Sequence, residues 1–194
     1  MLKTIHPPTA PSTVRRGSDQ TNGSWSISRS GAGAGISLGT LYHYFPGKKQ
    51  IFLAVLTQDE QNTQALLEEL TDDPDPSKAL LRFVSHVAEP ATAHPIVPKL
   101  VLEAMLQAHR DQEVLAALEN AESSETEGIK TLLGRATEAG TVDPELDVDE
   151  AAEWINALVG ALYLEAATNS AFDPAKHQPH LIRTVRAFLQ RPEA

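Results

Sequence analysis

Apolar side chains recur along most of this chain at the three- and four-residue intervals that put them on one face of a helix. From residue 37 onward Leu, Ile, Val and Ala keep that spacing, and no alternating run of β-branched residues is long enough for a strand. The pattern predicts an all-α fold with helices at about 37–44, 48–70, 77–88, 96–109, 112–139, 148–168 and 179–190. Pro46-Gly47 separates the first two helices, and Asp73-Pro74-Asp75-Pro76 closes the second and opens the third, because a residue before proline is steered away from helical geometry. Asp147 and Glu150 have capping-box spacing, with Leu146 set to pack on Ala151 as a hydrophobic staple. Residues 1–33, with Pro7, Pro8, Pro11 and many Ser, Thr and Gly, hold no apolar period for two turns and read as a disordered segment.

Two helices carry more apolar surface than one chain of this size readily covers. The stretch WINALVGALYL at 154–164 contains one amide, Asn156, and no charge, so it is apolar all round. The last helix sets Leu181, Ile182, Val185, Phe188 and Leu189 on one stripe. The expectation is a homodimer in which these five, with Leu158 and Leu162, form a four-helix interface about a two-fold axis. The alternative is that both stripes are intramolecular core.

Composition then narrows the chemistry. With no cysteine among 194 residues, disulfides, thiolate metal sites and cysteine nucleophiles are excluded, which fits a cytoplasmic location. The chain lacks both a membrane-length apolar run and an apolar N-terminal core, so neither a membrane partner nor secretion is expected. The net charge of −10 is unevenly spread. Residues 1–50 hold Lys3, Arg15, Arg16, Arg29, Lys48 and Lys49 against Asp19, a balance of +5 that leaves −15 for the rest. A basic head on an acidic body suits a protein with one end on DNA phosphates, although an unstructured basic tail gives the same count.

The segment 34–56 reads AGISLGTLYHYFPGKKQIFLAVL. Taken alone, its aromatic cluster at 41–45 fits a core better than a groove. As an ordered whole it resembles the second half of the helix-turn-helix of the TetR/AcrR family of transcriptional regulators, followed by the start of that family's connecting helix. The resemblance implies that Gly35 lies in the turn, that Ser37 caps a short recognition helix, and that Leu41 and Phe45 face inward. It also implies that Ser37, Leu38, Thr40, Tyr42, His43 and Tyr44 face the major groove while Lys48 grips the DNA backbone. Leu38 departs from the polar residue usual there. A larger departure lies upstream, where the family's second helix ends in an Ile-Ala-x-x-Ala-Gly pattern and this chain has Ser30-Gly31-Ala32-Gly33-Ala34-Gly35. The expected origin of 1–33 is a shifted reading frame, a different start or a rearrangement.

Three regions follow: an atypical segment 1–33, the helix-turn-helix remnant 34–56, and a helical ligand-binding and dimerisation body 57–194. The implied function is ligand-responsive repression, in which a homodimer binds a pseudo-palindromic operator in double-stranded DNA and a small organic effector releases it, with 48–70 as the lever. A second reading keeps the body as a dimerisation or ligand-binding module that has lost DNA binding. By the same resemblance the effector cavity would be lined by Leu102, Glu103, Met105, Leu106, His109, Trp154, Asn156 and Tyr163.

Other constellations carry less. The glycines at 31, 33 and 35 follow no strand and precede no phosphate-binding Lys-Ser/Thr. His177 and His180 are separated by Pro179 and lack an adjacent acidic ligand, which points to a solvated helix start. No Ser/His/Asp set or carboxylate pair stands out, so neither catalysis, nor a cofactor, nor a metal is expected.

Overall fold

Aspartates set where four of the helices begin. In the computed structural model, which describes residues 47–190, the elements are α1 (Lys48–Thr71), α2 (Pro76–Ala93), α3 (Ile96–Ala108), α4 (Gln112–Glu138), α5 (Val148–Thr168) and α6 (Pro174–Phe188). Asp75 accepts from the Lys78 N–H ahead of α2, Asp111 from the Glu113 and Val114 N–H groups ahead of α4, Asp147 from Glu150 N–H ahead of α5, and Asp173 from Ala175 N–H ahead of α6. Each satisfies a backbone donor that the first turn leaves without an intrahelical acceptor. Pro76 and Pro174 follow their aspartates at the first helical position, where a missing N–H costs nothing.

The end of α4 is equally specific. Gly140 takes the left-handed conformation (φ 66°), its N–H donates to the Thr137 carbonyl, and the Thr141 N–H reaches back to the Ala136 carbonyl at 3.0 Å. This is a Schellman closure, which a β-carbon at 140 would strain. The end of α1 is closed from outside: the Arg135 guanidinium on α4 donates to the Leu70 and Asp73 carbonyls, both at 3.1 Å.

Two helix bounds differ from the expectation. α6 starts at Pro174, five residues before Pro179, and α2 continues through Pro90 to Ala93 instead of ending at 88. An internal proline removes one backbone bond, and here packing outweighs that loss. Among the described residues no helix is long and apolar enough to cross a membrane.

The main core joins α1, α2, α4, α5 and α6 through Leu70, Leu80, Phe83, Val84, Ile129, Leu132, Leu133, Ile155 and Val185, all fully buried. A second, smaller cluster lies at the base of α1, where Phe52 meets Ala104 and Ala108 of α3 and Val114 of α4, flanked by Leu53, Leu56, Val101, Leu115 and Leu118. The proposed interface residues divide between core and rim. Leu162, Val185 and Leu189 are buried within the single chain and Leu158, Leu181, Ile182 and Phe188 pack partly against the same core, because α6 lays its stripe on α2 and α5. The first three are therefore intramolecular core and not interface.

Candidate functional site

The expected recognition helix at 37–44, with Ser37, Leu38, Thr40, Tyr42, His43 and Tyr44, lies outside the described residues, as does the Lys48 side chain. The start of α1, to which this segment is joined, is described from Gly47 onward. Gly47 is extended (φ −169°, ψ 159°) and leads into α1 without a side-chain cap. In the first turn of α1, the Lys49 ammonium lies 2.7 Å from an Asp111 carboxylate oxygen and 2.7 Å from Glu113. These hydrogen bonds raise the lysine's pKa, and the lysine lowers that of Asp111. Asp111 thus both caps α4 and clasps the first turn of α1, and Phe52 seats that turn on α3 and α4.

Of the eight residues expected around an effector, Met105 (56% exposed), Leu106 (66%) and Trp154 (54%) point outward, as does His109, which ends α3. Leu102 and Glu103 are half-buried, and Gln107 donates to Glu103 along the α3 surface at 3.4 Å. Asn156 donates to Thr126 at 3.1 Å, tying α5 to α4, and the Tyr163 hydroxyl donates to the Val87 carbonyl at 3.1 Å. The eight do not converge. Trp154 instead lines an open groove of about 510 Å³ with Glu145, Leu146, Asp147, Glu150, Ala151 and Phe188.

The polar interior lies elsewhere. Between the basal cluster and the main core, Asp59, Glu60 and Thr63 of α1 face Ala121, Ser124 and Glu125 of α4 across a cavity of about 10 Å³. Thr63 is buried, with its hydroxyl 3.4 Å from His86 Nε2 on α2. Burial, then the nearby Asp59 and Glu122, push the Glu125 carboxyl up to about 8, and burial raises Asp59 as well. Burial, then the nearby Glu125 and Asp59, hold Tyr163 far above the usual phenol range. Of this group only Tyr163 was singled out from the sequence. The signal for the others was register: Leu56, Asp59, Thr63 and Leu66 follow one face of α1, and Leu118, Ala121, Glu125 and Ile129 follow one face of α4.

His177 and His180 lie in the second turn of α6, and the His177 ring stacks on Phe172 with centroids 4.3 Å apart. Among the described residues no group of three or more His, Asp or Glu side chains is placed to hold a metal ion.

The sequence profile described as "Bacterial regulatory proteins, tetR family" matches residues 27–55 and so runs unbroken into the clasped base of α1. Over those residues the chain is similar to the tetR family of regulators. The HTH-type transcriptional regulator UidR of Escherichia coli strain K12 is 28% identical over 116 residues, covering 58% of this chain and 56% of that protein, and the UidR of Shigella flexneri matches equally. The chain thus aligns with little more than half the length of those relatives. Among solved structures, Salmonella enterica GusR shares the fold with a TM-score of 0.52 at 21% identity, covering 79% of this chain and 78% of its own.

Proposed function

We propose that this chain regulates transcription as a homodimer that binds operator DNA, and that a small organic effector held by the helical body 57–194 releases it. The observation that carries the reading is continuity: the tetR-family match on 27–55 passes directly into α1, whose base is fixed by Lys49 to α4 and by Phe52 to α3 and α4. A DNA-contacting segment attached there would move with α1, so a change in the body would alter the spacing of two such segments in a dimer. The chain acts by binding, without catalysis, in the compartment that holds its DNA.

The exposed face of α5 supports the dimer. Trp154, Ala157, Ala161 and Leu164 lie at helical spacing on its solvent side, an apolar stripe that a second copy would cover. The test is retardation of the DNA upstream of the chain's own gene at fixed salt. The wild-type chain retards that fragment and Lys48→Glu does not, since a reversed charge repels phosphate. Absence of retardation by the wild type, or equal retardation by the variant, contradicts the reading.

A further inference from the structure

We infer that the polar layer around Asp59 and Glu125 is a pH-responsive joint: protonated, it lets the base of α1 pack as one body with the main core, and deprotonated, it opens and frees that base. The geometry is a three-tier interface between α1 and α4. Below lies the cluster of Phe52, Leu56, Val114 and Leu118, and above lie Leu66, Leu70, Ile129 and Leu133. The tier between them faces carboxyl against carboxyl around a cavity with room for about one water.

The surrounding charges are mostly of one sign. α1 brings Asp59 and Glu60, α2 brings His86 and Glu89, α4 brings Glu122 and Glu125, and α5 brings the Tyr163 hydroxyl. His86 is the basic group in electrostatic contact with Asp59, and its Nε2 also lies 3.4 Å from the Thr63 hydroxyl. While a carboxyl keeps its proton it can remain in this half-buried layer. Once both are ionised, like charges in a poorly hydrated space repel, and the relief open to them is to draw water in and separate the helices. The raised pKa of each group agrees with this, because burial in the closed layer disfavours its carboxylate form.

The two apolar tiers make the opening local. The main core holds the upper half of α1 with Arg135 closing its end, so the strain falls on the lower half, which Lys49 and Phe52 link to the α3–α4 corner. Its regulatory meaning, release of a DNA-contacting segment at raised pH, rests on the proposed function. The joint itself does not.

Because the chain has no cysteine, spin labels can be placed at will. Ala54→Cys on the exposed side of the base of α1 and Lys78→Cys on α2 report one distance across the joint. At about pH 6 the distance distribution is expected to be single and narrow, and at about pH 9 broader and shifted, while adding Glu125→Gln or Asp59→Asn leaves the pH 6 distribution in place at both. A wild-type distribution that does not change with pH, or one that changes equally in both neutral variants, overturns the proposal. The readout uses no DNA, so failure of operator binding leaves it legible, and an unresponsive joint leaves the operator-binding reading standing.

Discussion

Glu125 keeps a proton in the folded chain that the unfolded chain gives up. Its ordinary value of 4.5 is raised to about 8 by burial first and by Asp59 and Glu122 next. A carboxyl raised on folding means that the native state binds more protons between those two values, so stability falls as pH rises through that window and levels off above it. The loss is on the order of a few kcal/mol for a shift of this size. Glu125→Gln should flatten this dependence and leave the variant more stable than wild type near pH 8, as read from denaturant midpoints across a pH series. Parallel curves for the two proteins would show that the carboxyl is not buried as described. Asp59 and Glu125 are half-buried on the inward-turned faces of their helices, and the register was visible in the sequence. They were passed over because carboxylates are seldom buried, so a long run such as 119–127 (ENAESSETE) looks like a solvated face.

Helix existence was legible because apolar spacing records which face is buried, and every described helix follows that spacing. Bounds were less so. The start of α6 lay in Asp173-Pro174, the same cap and first-position pair that opens α2, but Pro179 resembles a start just as well. Where α2 crosses α4, Gly128 is buried against the fully buried Phe83 ring, and a β-carbon built at 128 would run into that ring. In an open helix Gly→Ala gains up to about 1 kcal/mol. Here overpacking a rigid aromatic costs more, so Gly128→Ala is expected to destabilise the fold by about 1–3 kcal/mol in chemical denaturation, with Phe83→Leu partly restoring it. A neutral or stabilised Gly128→Ala would mean that the helices separate more easily than this contact allows.

At the scale of the molecule, what the sequence could not decide was which apolar stripe is inside. α6 spends its stripe on the core, so Val185 and Leu189 cannot serve a partner, and α5, apolar all round, keeps Trp154 and Leu164 outside. A charge in that outer stripe should therefore separate subunits without unfolding them. Leu164→Arg is expected to sediment as a monomer with unchanged helical content, while Met105→Arg on the exposed face of α3 leaves the wild-type state intact. The measurement that tests the account most directly is a nuclease footprint of the wild-type chain on the DNA upstream of its gene. The account predicts two protected half-sites of inverted sequence, their centres about one helical turn (roughly 10 bp) or a multiple of it apart. No protection, or a single half-site without symmetry, would contradict it.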